Sequence, residues 1–172
     1  MNKKLLSLAL SVCLVASVSV TMAFEQFKPE RSSGQSHVAA PDFSLKDTEG
    51  KTLRLRSQRG NPVAIFFGTS WCPACRTELP AFKNLYEKYA DQGVRFFYIN
   101  INESTERTAR FARNNSLPFP ALVDGDSRVA GSYHIIGVPT ILLIDQDGMF
   151  VKIAHRTSDL QAALDNVLSS KN

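Results

Sequence analysis

From residue 41 onward, apolar side chains fall into short blocks whose spacing switches between the period of a strand and that of a helix. PDFSLKDTEGKTLRL (41–55) alternates around Asp47-Thr48-Glu49-Gly50, which predicts two short strands joined by a turn. VAIFF (63–67) and VRFFYINI (94–101) are nearly unbroken apolar runs, the pattern of strands covered on both faces. Between them, Pro73 to Tyr89 carries a helical period. At about 100° per residue, Cys75, Leu79, Phe82, Leu85, Tyr86 and Tyr89 share one arc, while Arg76, Thr77, Asn84, Glu87 and Lys88 lie outside it. STERTARFARN (104–114) predicts a second helix capped by Ser104 or Thr105, LPFPALVD a short extended segment, and DSRVAGSY a short helix. TILLID and MFVKIAH, joined by Gln146-Asp147-Gly148, predict a hairpin, and SDLQAALDNVLSS a closing amphipathic helix capped by Ser158. Strands alternating with helices and ending in a hairpin and helix predict an α/β sandwich around a mixed sheet.

The first 40 residues follow neither period. Lys3 and Lys4 precede a charge-free run from Leu5 to Phe24 that ends in Thr21-Met22-Ala23, the pattern of a secretory signal peptide cut after Ala23. Retention of residues 5–23 as a membrane tether is the rival, because the run approaches the roughly 20 residues a span needs. Residues 24–40 are polar, contain Pro, Ser and Gly, and read as a linker or arm, which leaves 41–172 as the single folded domain.

Composition changes this picture in two respects. Without Lys3 and Lys4 the chain holds 18 basic against 16 acidic side chains, and no basic run is present, so nucleic acid is not an expected partner. Of three cysteines, Cys13 falls in the signal segment and reads as an apolar filler, which leaves Cys72 and Cys75 in FFGTSWCPACRTELP. Export would put this pair where disulfides persist. A bridge across two residues closes too small a loop to act as a staple. Zinc needs four ligands, and His37, His134 and His155 show no ligand spacing, so no metal is expected. A redox dithiol is what remains. Cys72 lies at the helix start, where free N–H groups and the helix dipole favour a thiolate, and Pro73 suits the first helical position. Cys75, one turn in, faces the core and would resolve the mixed disulfide. Trp71 would stand as an apolar shoulder beside an exposed Cys72 sulfur. Glu78 is the single charged residue on the buried arc, placed to exchange a proton with the resolving thiol. Val138-Pro139 precedes the run ILLID; the bond can be cis, although trans is commoner for X-Pro bonds. Pro80 should bend its helix. Asp124-Gly125-Asp126 and Asp145-Gln146-Asp147-Gly148 read as turns, and His134 as an exposed residue near a helix end.

Taken together, PDFSL, WCPAC after a buried strand, Glu78 with Leu79-Pro80, the insert from Glu103 to Tyr133 and GVPTILLIDQDG resemble the thioredoxin superfamily. Within it, they are similar to the exported TlpA/ResA/CcmG-like thiol-disulfide oxidoreductases, over Pro41 to Leu168. The resemblance implies a thioredoxin-like α/β/α sandwich with an N-terminal β-hairpin and an insert. It also implies a cis Pro139 facing the cysteines, a helix-kink role for Pro80 and an active-site role for Glu78. Two departures stand out: Phe66 occupies the position of the buried aspartate of thioredoxins, which would leave proton handling to Glu78, and Pro-Ala separates the cysteines.

The expected function is reduction of disulfides in exported proteins, in the periplasm or on the outer face of the membrane, by a monomer with no cofactor beyond the Cys72–Cys75 pair. Cys72, Cys75 and Glu78 would be catalytic, and Trp71, Pro73, Val138 and Pro139 would bind the client, with the Val138 backbone adding it as a strand. By resemblance, the reductant is a membrane thiol-transfer protein and a common client is apocytochrome c. The rivals are a dithiol oxidase that donates its disulfide, a non-catalytic peptide-binding domain and a thiol peroxidase. The last lacks the expected Pro-Xaa-Xaa-Xaa-Thr-Xaa-Xaa-Cys run before Cys72.

Overall fold

The computed structural model describes residues 38–170; the expected signal segment or anchor, His37 and the rest of the arm before it lie outside the described residues. In chain order the elements are β1 (Ser44–Asp47), β2 (Thr52–Arg54), β3 (Val63–Gly68), α1 (Pro73–Tyr89), β4 (Arg95–Ile101) and α2 (Thr105–Asn114). They continue with β5 (Ala121–Asp124), α3 (Arg128–Ser132), β6 (Thr140–Ile144), β7 (Phe150–Ala154) and α4 (Gln161–Ser169). The strands form one sheet in the order β2-β1-β5-β4-β3-β6-β7. β3, β4 and β5 run parallel, while β1, β6 and β7 join their neighbours antiparallel. This is the mixed sheet that the block pattern predicts, in the thioredoxin-like arrangement that the family resemblance implies.

Strand β3 is buried along its whole length, and its side chains divide between two cores. Ala64 and Phe66 face the core shared with Leu79 and Phe82 of α1, Phe111 of α2, and Leu164 and Val167 of α4. Val63, Ile65 and Phe67 face the other, with Phe43, Leu55, Val129 and Tyr133. Phe82 meets Phe66, Phe96 and Phe119 edge-on at centroid separations of 5.3, 5.4 and 5.4 Å. Each such pair contributes about 0.5–1.5 kcal/mol beyond the area it buries, so α1 is fixed firmly on the sheet. The arc read from the helical period is the arc that packs: Cys75, Leu79, Phe82, Leu85 and Tyr89 are buried, and Tyr86 is half-buried. The helix continues through Pro80, which sits on its exposed side.

Two boundaries differ from the sequence expectation. Ser158 does not cap the last helix; Thr157–Leu160 form a 3₁₀ turn and α4 begins at Gln161 without a side-chain cap, while the Ser158 hydroxyl donates to Asp159. Val38–Ala40 belong to the fold and not to the arm. Phe150 N–H donates to Val38 O and Ala40 N–H to Gly148 O, both at 2.9 Å, and Ala40 is buried. The Asp124 turn does more than reverse the chain: its buried carboxylate accepts Val129 N–H and Ala130 N–H at 3.1 and 2.8 Å, tying down the start of α3. At α2 the choice resolves to Ser104, whose hydroxyl accepts Arg107 N–H at 3.3 Å.

Candidate active site

Strand β3 ends at Gly68, and Thr69-Ser70-Trp71 turns the chain into α1. Cys72 occupies the N-cap: its N–H donates to Thr69 O at 3.3 Å, and its sulfur accepts Cys75 N–H at 3.0 Å. Pro73 follows at the first helical position, where a missing N–H costs nothing. Cys72 and Cys75 are joined in a disulfide with Cα atoms 5.3 Å apart. Cys75 is fully buried on the sheet side of the helix, and Cys72 is 5% exposed. The sequence led us to expect an exposed sulfur at Cys72. Its bond to the interior Cys75 turns it inward, with Val138 O 3.7 Å away. Trp71, 63% exposed, supplies the open apolar surface next to the pair.

The register of β6 explains why Val138 is there. Running antiparallel to β3, β6 pairs its first residue, Thr140, with Phe67. Val138-Pro139, immediately before it, therefore falls beside the segment that leads from β3 into the cysteines. The Val138–Pro139 peptide is cis, as the family resemblance implies and against the commoner state of X-Pro bonds. His155 Nδ1 lies 2.9 Å from Pro139 O and 3.4 Å from Thr140 Oγ1. Sequence reading had passed over this histidine because nothing local sets it apart from the other two.

Glu78 is half-buried, as its place on the arc requires. Its Oε2 accepts Thr157 N–H at 2.8 Å, and Thr157 Oγ1 donates to Glu78 O at 3.4 Å. The glutamate is thus tied to the segment that follows His155, on the Pro139 side of the site.

Sequence reading missed Glu103. It is separated from the end of β4 by Asn102 alone and lies immediately before the Ser104 cap, and its side chain is only 2% exposed. Oε2 accepts Ser70 N–H at 2.8 Å and Asn100 Nδ2–H at 2.6 Å; Oε1 accepts Ser70 Oγ–H at 2.6 Å and faces Arg107 at 3.5 Å. Burial alone would raise its pKa, but the bonds from Ser70 and Asn100, with the Arg107 charge, more than offset this and hold the carboxyl below the usual glutamate range. An ionised carboxylate therefore anchors the residue two places ahead of Cys72. A signal was available: Asn100 is a polar side chain inside an apolar strand pattern, and a buried amide needs a partner. Behind this anchor, Tyr98 is fully buried and its phenol is held well above its usual range by burial, then by the Glu103 charge.

Residues 37–153 match the AhpC/TSA family. The chain belongs to that family. The thiol-disulfide oxidoreductase ResA of Halalkalibacterium halodurans is 34% identical over 153 residues, covering 88% of this chain and 87% of that protein. Its namesake from Geobacillus thermodenitrificans is 32% identical over 157 residues, covering 90% of each. Among solved structures, one assigned as a thiol:disulfide interchange protein DsbE from Chlorobium tepidum superposes with a TM-score of 0.70 at 26% identity, covering 79% of this chain and 97% of that one. With the Cys72–Cys75 pair at a helix start in a thioredoxin-like sheet, the family member is a protein thiol-disulfide oxidoreductase. Among the described residues no cluster of three or more His, Cys, Asp or Glu side chains forms a metal site, and no helix is long and apolar enough to cross a membrane.

Proposed function

We propose that this oxidoreductase works on the outer side of the cytoplasmic membrane as a reductase of disulfides in exported proteins, apocytochrome c before haem attachment among them. The asymmetry of the two sulfurs carries the reading: Cys72 caps the helix next to solvent-exposed Trp71, and Cys75 is sealed in the core. Cys72 thiolate attacks a client disulfide, forming a mixed disulfide and expelling one client thiolate, which takes up a proton. Cys75 then gives its proton to Glu78 and attacks the Cys72 sulfur. The internal disulfide forms, the client leaves with its second thiol, and two electrons have passed from protein to client. Trp71, Pro73, Val138 and Pro139 line the path of the client, and the backbone at Val138 accepts it as an added strand, which suits many sequences. A membrane thiol-transfer protein restores the dithiol, and the oxidoreductase acts as a monomer with no further cofactor.

Trapping tests the division of labour. Cys75→Ser should accumulate a mixed disulfide with a disulfide-bearing client, and Cys72→Ser should accumulate none. Equal trapping by the two variants would contradict these roles. Binding of client by Cys72→Ser with cellular function unchanged would favour a non-catalytic peptide-binding domain.

A further inference from the structure

A second concave surface adjoins the dithiol. It is a cavity of about 460 Å³ bordered by Ser70 of the Cys72 loop, Arg76 of α1, and Arg107, Arg110, Phe111, Asn114 and Asn115 of the α2 region. Among the described residues, no acidic side chain lines it. Arg76 donates through Nη2 to Ser70 O at 3.3 Å, and among the described residues neither Arg76 nor Arg110 has a carboxylate within 4.0 Å. Arg107 is only partly balanced. Its neighbour Glu103, at 3.5 Å, already accepts two bonds from Ser70 and one from Asn100. Lys83, two turns after Arg76 on the same side of α1, reaches Asn115 O at 3.0 Å at the edge of the cavity. The chain from Phe24 has a formal excess of only two positive charges, so this concentration is local. Like charges held together on two facing helices repel, and a guanidinium fork is shaped to take a carboxylate through two bonds.

We propose that this cavity is a client subsite, which takes the carboxylate of an aspartate or glutamate lying a few residues from the disulfide that Cys72 attacks. The inference rests on the reading of Cys72 and Cys75 given above and narrows it to clients with an acidic flank. Arg76 and Arg110 supply the unpaired charge, Arg107 the third cation, and buried Phe111 the apolar floor. Exposed arginines act mainly on encounter, so the preference should be one of rate and should fade with salt. A flat phosphatidylglycerol surface would meet the same charges but has no carboxylate to insert beside Ser70. The concave shape favours a polypeptide side chain.

The test compares three peptides, each closed by one disulfide and flanked on one side by two Glu, two Gln or two Lys. Reduced full-length protein is mixed with each in low and high salt. The account predicts rate constants in the order Glu, Gln, Lys, with the Glu peptide roughly threefold to tenfold faster than the Gln peptide at low ionic strength and the gap closing in high salt. In Arg76→Gln/Arg110→Gln the Glu-to-Gln ratio should fall to about one. Equal rates for all three peptides in the unaltered protein, or the same ratio in the double variant, would overturn the subsite while leaving the reductase reading in place. Failure to reduce any of them would overturn both. Loss of binding to phosphatidylglycerol vesicles in the double variant, with the peptide ratio unchanged, would assign the cations to a lipid surface instead.

Discussion

Ser70 N–H, Ser70 Oγ–H, Asn100 Nδ2–H and Arg107 all converge on the Glu103 carboxylate, and that convergence fixes the chain just ahead of the nucleophile. Removing one member of a buried charged set strands the others, so Glu103→Leu should cost about 3 kcal/mol in urea unfolding. The pH dependence has a definite sign. The folded pKa lies below that of the unfolded chain, so the stabilisation is fully present above the ordinary glutamate range and is lost as pH falls through the folded value. Acid unfolding curves should show this loss in the unaltered protein and a flatter slope in Glu103→Gln. Glu78 makes a different prediction, because Gln can still accept Thr157 N–H but cannot exchange a proton. Glu78→Gln should unfold near the same temperature yet close the internal disulfide roughly a hundredfold more slowly, measured by quenching the mixed disulfide at intervals. Unchanged closure kinetics would remove Glu78 from the mechanism.

At the scale of elements, the end of β3 is the tightest joint in the site. A Cβ at Gly68 would stand 2.6 Å from Tyr98 Oη, so Gly68→Ala should destabilise by about 1–3 kcal/mol through overpacking. Adding Tyr98→Phe, which deletes the hydroxyl, should recover part of that loss in a double-mutant cycle; strict additivity would mean the clash is relieved elsewhere. The elements themselves were largely legible in the chain because each buried face repeats its period, as α1 does from Cys75 to Tyr89. The caps were less so. Ser158 looks like an N-cap, but the chain enters α4 through a 3₁₀ turn whose Thr157 is held by Glu78, and that contact spans 79 residues. Asp124 looked like an ordinary turn residue because its two amide partners become neighbours only when α3 folds back on it.

For the whole molecule, the sheet order assembles the site from segments far apart in sequence. The parallel β3 and β4 bring the Cys72 loop beside Glu103, and the antiparallel β6 brings Val138-Pro139 to the other side. Local pattern could find the cysteines, since a helix start and a buried arc are written within a few residues of each other. It could not place Glu103 against Ser70 or His155 against Pro139, because strand register alone brings those residues together. Direction of electron flow is a property of the assembled site as a whole, and one equilibrium measures it. The full-length protein, brought to equilibrium in glutathione and dithiothreitol buffers of known ratio, should show a reduction potential near or below about −270 mV, as a reductase requires. A value near about −120 mV would contradict the account and make this protein a donor of disulfides.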